Sequence, residues 1–95
     1  MILVVATVRV HPDKAEAYET AVQEIMPRVR KGNPGIAFYH CAKSREEADT
    51  YRVVEAYVDQ AAMDRHVGSA SLQESLAGLM DCIADIDIKL HDTVA

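Results

Sequence analysis

Ninety-five residues with a formal charge of −5, 49% hydrophobic and 26% charged side chains suit a single globular domain spanning 1–95. A chain of this length buries ~60–65% of its extended surface, enough for one core, so disorder is not expected. The acidic balance is spread along the chain, which argues against nucleic acid or an anionic membrane as the main partner, since both reward clustered Lys and Arg.

The chain opens on a strand. Ile2, Val4, Ala6, Val8 and Val10 alternate onto one face, with Leu3, Val5, Thr7 and Arg9 on the other, so both faces call for cover. The apolar run from Ile2 to Ala6 is too short for a signal sequence, and no stretch approaches the ~20 apolar residues of a membrane span, so a cytoplasmic protein is expected. His11-Pro12-Asp13-Lys14 then starts a helix, with Asp13 and Glu16 spaced as a capping box. Tyr18, Ala21, Val22, Ile25, Met26 and Val29 recur at helical spacing along its inner stripe. Pro27 predicts a kink or an early end, Arg28, Arg30 and Lys31 complement the helix C-terminus, and Gly32-Asn33-Pro34-Gly35 stops it.

A second strand covers Ile36 to Lys43, with Ile36, Phe38, His40 and Ala42 on one face and Ala37, Tyr39 and Cys41 on the other. After the charged hairpin from Ser44 to Asp49, Tyr51 to Val58 forms the third strand, projecting Tyr51, Val53, Glu55 and Tyr57 to one side. Asp59 caps a short helix that runs to Val67 and ends at Gly68. Ser71 and Glu74 suggest another capping box, followed by a stripe of Leu72, Leu76, Leu79, Met80 and Ile83. Ile86, Ile88 and Leu90 alternate with Asp85, Asp87, Lys89 and His91 in a last strand half exposed to water. Cys41 and Cys82 are far apart in sequence and read as buried free thiols.

The order β-α-β-β-α-β is the split arrangement of the α+β, ferredoxin-like fold, a four-stranded antiparallel sheet with helices on one face. One helical layer leaves the other face bare, and its apolar residues predict a second copy against it, a homodimer with or without further assembly.

Three segments, "VVATVRVHPDKAEAYE", "NPGIAFYH" and "YRVVEAYVDQAAMDRHVGSASLQ", together with Glu55, the aromatic two residues later and His66, resemble the antibiotic biosynthesis monooxygenase domain family. The resemblance implies a dimeric α/β barrel made by two sheets packed face to face. It also implies one of several activities: cofactor-independent oxidation of a quinol or polyketide-like aromatic, haem degradation, or isomerisation of a small carbonyl compound, phosphorylated autoinducer-2. Haem degradation in that family uses an Asn in the first strand, a Trp and an axial His. Here Thr7 stands near the Asn position and there is no Trp. Tyr57 stands where many members carry Trp, and Ser69-Ala70-Ser71-Leu72 lacks the His and aromatic that many members have there. The wording Glu55-Ala56-Tyr57-Val58-Asp59 is similar to the isomerase branch.

His11, His40, His66 and His91 are dispersed without metal-ligand spacing, and no glycine-rich phosphate loop or nucleophile elbow is present, so neither metal nor organic cofactor is expected. The chemistry then falls to His, Glu and Tyr in an apolar cleft, a setting that suits direct reaction of O2 with a deprotonated phenol. His66 is the first candidate for the base, since imidazole ordinarily titrates near physiological pH; interaction with the macrodipole at its helix C-terminus, or capping the end of the sheet, is the competing role. His40 sits in an apolar strand and faces either the cleft or the dimer interface. Glu55, among Val53, Val54, Ala56 and Tyr57, needs a partner in such surroundings, and serves either as a structural acceptor or as a catalytic group. Tyr57, Tyr51, Phe38 and Met63 are candidate substrate contacts, with core packing as the competing role for each. A ligand-binding or assembly module without catalysis is the third functional reading.

Overall fold

The computed structural model describes residues 1–95 apart from the side chain of Ser71. Its elements are β1 (Ile2–Val10), α1 (Ala15–Gly32), β2 (Ile36–Lys43), β3 (Thr50–Tyr57), α2 (Gln60–Val67), α3 (Ala70–Leu79) and β4 (Ile83–Asp92). The strands form one antiparallel sheet in the order β2-β3-β1-β4, and the helices cover one face of it. This is the ferredoxin-like α+β fold.

The covered face follows from the alternation along β1 and its register. Val4, Ala6 and Val8 lie opposite Glu55, Val53 and Tyr51 on β3, and opposite Leu90, Ile88 and Ile86 on β4. Tyr18, Val22, Met26 and Val29 of α1, at spacings of four and three, bury against the β1 residues. Full burial of an apolar side chain contributes about 1.5–3 kcal/mol, so this seam is a principal source of stability. A smaller cluster of Val4, Tyr57 and Ala62, edged by Met63, seats α2 beside it.

Several local expectations are corrected. The Asp13–Glu16 capping box does not form, because Pro12–Lys14 is a 3-10 turn and α1 begins after it without a side-chain cap. Pro27 does not end α1, since the helix runs on to Gly32 with Pro27 on its exposed side. A proline there forfeits one backbone bond, which the buried seam on the opposite face outweighs. Ile36 leaves the face of Phe38 because the register shifts between them, so it pairs with Tyr57 and packs under the helices. Phe38, expected in the core, lies instead on the open face and is 47% exposed. α3 is capped at Ser69 rather than Ser71, whose side chain lies outside the described residues. The stripe expected to reach Ile83 stops earlier: α3 ends at Leu79, Met80 is exposed in a 3-10 turn, and Ile83 opens β4.

β4 holds the largest surprise. Its apolar row points to the helix side as the register requires, yet Ile86, Ile88 and Leu90 are 43%, 56% and 58% exposed. The helices span β2, β3 and β1 and stop short of this edge. An open apolar cleft remains between α3 and the sheet.

Gly35 sets how close α2 can come. A Cβ at that position would collide with the Cβ of Ala62, which is fully buried. Gly35→Ala should therefore destabilise the fold by about 1–3 kcal/mol, read as a lower midpoint in chemical denaturation. An unchanged midpoint would show that α2 moves away freely.

Candidate active site

The site is built on β3 and α2. Glu55 and Tyr57 share a face of β3 because they are two residues apart, and the Tyr57 hydroxyl donates to Glu55 Oε1 at 2.9 Å. Across from them, Ala62 and His66 are one helical turn apart and both buried, so the contact of Ala62 with Gly35 also aims His66 inward. The helix is held at both ends. Asp59 Oδ1 accepts from the Ala62 N–H at 2.8 Å, and the Ser69 hydroxyl donates to the His66 carbonyl at 2.8 Å while accepting from the Leu72 N–H at 3.2 Å.

His66 is only 5% exposed, with Nε2 at 3.5 Å from Glu55 Oε1. That separation is longer than a hydrogen bond, and Nε2 is buried without a partner among the described residues. An unpaired buried nitrogen is costly, so a ligand hydroxyl that reaches Nε2 would be favoured there. The ring is held by Tyr39, edge-on at 5.4 Å between centroids, and by Tyr57 at 5.8 Å. Tyr39 is the site residue that sequence reasoning overlooked. The signal was available, because the alternation of β2 sends it to the face opposite His40.

Of the candidate residues, Glu55, His66, Tyr57 and Met63 come together beside a cavity of about 380 Å³. Leu72, Leu76, Ile86, Ile88 and Leu90 continue its wall out to the open cleft. His40 and Phe38 do not join them. They stack on each other at 4.6 Å on the opposite face of the sheet. Tyr51 shares the face of Glu55 but lies further along β3, where its hydroxyl donates to Glu19 and its ring meets Tyr18 at 4.8 Å. Lys43 completes the Glu19 contact, and both bonds hold that carboxyl below its usual range. Cys41 and Cys82 are free thiols, with Cys41 Sγ at 3.7 Å from the Tyr18 hydroxyl. Among the described residues no group of three or more His, Cys, Asp or Glu is placed to hold a metal ion. No helix of those residues is long and apolar enough to cross a membrane.

All four tyrosines are buried, and each is pushed well above the ordinary phenol value, first by loss of hydration. The Glu55 charge adds to this at Tyr57 and Tyr39. These hydroxyls stay protonated at any physiological pH, so Tyr57 is a donor and not a base. Stability should be level below pH ~10, the unfolded phenol value, and fall above it, because only the unfolded chain then releases the protons. Each tyrosine contributes up to ~1.4 kcal/mol per pH unit to that fall. Denaturation midpoints at successive alkaline pH values, with phenolate absorbance followed in parallel, check this; ionisation of the folded state near pH 10 would contradict it.

Comparison with other proteins agrees with this architecture. A crystal structure from Caulobacter crescentus CB15, whose name assigns it provisionally to the antibiotic biosynthesis monooxygenases, superposes with a TM-score of 0.94 at 29% identity, covering 99% of this chain and 90% of that one. A provisionally named relative from Nitrosomonas europaea gives 0.91 at 18% identity with both chains fully covered, and one from Deinococcus radiodurans gives 0.91 at 14%, covering 100% and 94%. At those lower identities the likeness concerns the fold alone. No curated protein matches the sequence. The family profile for antibiotic biosynthesis monooxygenase matches residues 1–77, most of the chain, and the protein belongs to that family.

Proposed function

We propose that this chain is a cofactor-independent monooxygenase that oxidises a small quinol or polyketide-like aromatic with O2, using Glu55 and His66 to handle the proton. The observation that carries this reading is the carboxylate–imidazole pair at the inner end of an apolar cleft. The volume of about 380 Å³ falls within the range of small-molecule sites. Glu55 Oε1 takes the Tyr57 hydroxyl and has His66 Nε2 at 3.5 Å, which leaves Oε2 to take the phenolic proton. The resulting phenolate is electron-rich, and the aliphatic walls keep bulk water from reprotonating it. One oxygen atom of O2 bonds to ring carbon. The O–O bond then breaks as that carbon loses its hydrogen, leaving a carbonyl in the product and releasing the second oxygen as water. Substrate supplies both electrons, so no external reductant is required.

The test is oxygen uptake by metal-free protein with candidate hydroquinones and anthrones. One O2 should be consumed per product formed, and labelled O2 should place one atom in the product and one in water. Product formed without oxygen consumption would overturn the reading. It would favour instead isomerisation of a small carbonyl compound, for which the same pair could move a proton. That second reading has less support, because Asp59, the last residue of the isomerase-like wording, is engaged in capping α2.

The open face, with Leu3, Val5, Phe38, His40 and Val54, faces away from every helix. We propose that a second copy of the chain covers it, sheet against sheet, which leaves the cleft of each copy on the outer, helical side.

A further inference from the structure

A second cavity, also about 380 Å³, lies behind His66 between the last turns of α1, the end of α2 and the start of α3. It shares Ile25, His66 and Ser75 with the apolar cleft, so the two chambers adjoin at these residues. The chambers differ in chemistry. The outer one is lined by Arg28, Arg65, Asn33, Ser69 and Glu74 in addition to the shared wall. Arg30, next along α1, has its guanidinium on the Tyr39 carbonyl at 2.6 Å, whereas Arg28 and Arg65 have no ion pair or hydrogen bond among the described residues.

We propose that this outer chamber is an anion subsite, and that the substrate is an aromatic acid whose ring and phenol occupy the cleft while its carboxylate lies between Arg28 and Arg65. The inference rests on the cleft being the binding site. Two guanidiniums face one carboxylate, Glu74, so the chamber is locally positive in a chain of net charge −5. The start of α3, a ten-residue helix capped at Ser69, adds its positive end, opposed in part by the C-terminal ends of α1 and α2. A guanidinium presents a planar fork that matches a carboxylate, which an ammonium does not. Orientation follows from charge. Glu55 repels a carboxylate from the inner end, so the phenol goes to Glu55 and the acid to the arginines.

Binding under argon to the intact protein tests this without any turnover. The probes are 6-hydroxy-2-naphthoate, with hydroxyl and carboxylate at opposite ends of the ring, and neutral 2-naphthol. Their fluorescence is read without interference, since the chain has no Trp. The acid should bind at least tenfold tighter at low salt, and Arg28→Gln and Arg65→Gln should each weaken it about tenfold while leaving naphthol unchanged. Glu74→Gln, which removes the one carboxylate of the lining and breaks no ion pair among the described residues, should tighten the acid several-fold. Equal affinity for the two probes, or a preference that survives the double Arg variant, overturns the anion subsite while the cleft reading stands. If neither ring binds, the cleft reading fails and takes the subsite with it.

Discussion

Glu55→Gln should lower kcat/KM for oxygen-dependent turnover by roughly 10²–10⁴-fold, the usual contribution of a positioned general base. The substitution is nearly isosteric, and the amide oxygen can still accept from the Tyr57 hydroxyl, so the folded structure should persist. What the variant loses is the capacity to take a proton. His66→Ala should cause a loss of the same order, together with a fall in stability of about 1–3 kcal/mol, because it empties the space between Tyr39 and Tyr57. The two residues act on one proton, so the double variant should be little worse than either single one. Steady-state oxygen uptake, with melting curves for each variant, separates the chemical effect from the structural one. Undiminished turnover in a folded Glu55→Gln protein would remove the carboxylate from the mechanism.

The second large effect is expected at Val54. This residue lies at the centre of the open face, opposite Val5 on β1 and His40 on β2. In the proposed sheet-to-sheet dimer the substitution occurs twice, so Val54→Asp buries two unpaired charges in an apolar interface. The dimer dissociation constant should rise by about 10²–10³-fold, which corresponds to about 3–4 kcal/mol. Sedimentation across a concentration series would show wild type as a dimer and the variant as a monomer at micromolar concentration. A wild-type protein that is monomeric there leaves the open face without the partner proposed for it.

Much of the molecule was legible in the residue order. The period-two pattern of β1 gave its two faces, and the Asp59 and Gly68 signals bounded α2 to the residue. Glu55 and Tyr57 were seen to share a face because spacing along a strand dictates it. Other features depend on contacts the local pattern does not contain. The irregularity between Ile36 and Phe38 breaks the alternation of β2, so strict counting misplaced Ile36. Pro27 is tolerated because α1 is held by its buried seam, a tertiary gain that a local breaker signal does not include.

The candidate site divides in the same way. His66 was the first candidate base with His40 behind it, and only the pairing of β2 with β3 showed that His40 lies on the far side of the sheet. The approach of His66 to Glu55 needs α2 to cross at the height Gly35 permits. By itself, then, the sequence determined which elements form and in what order, because hydrophobic period and capping are local properties. The tertiary structure decided which side chains meet, where the helices stop short of β4, and that two chambers of opposite character adjoin at His66, because those depend on register and close approach between segments far apart in the chain.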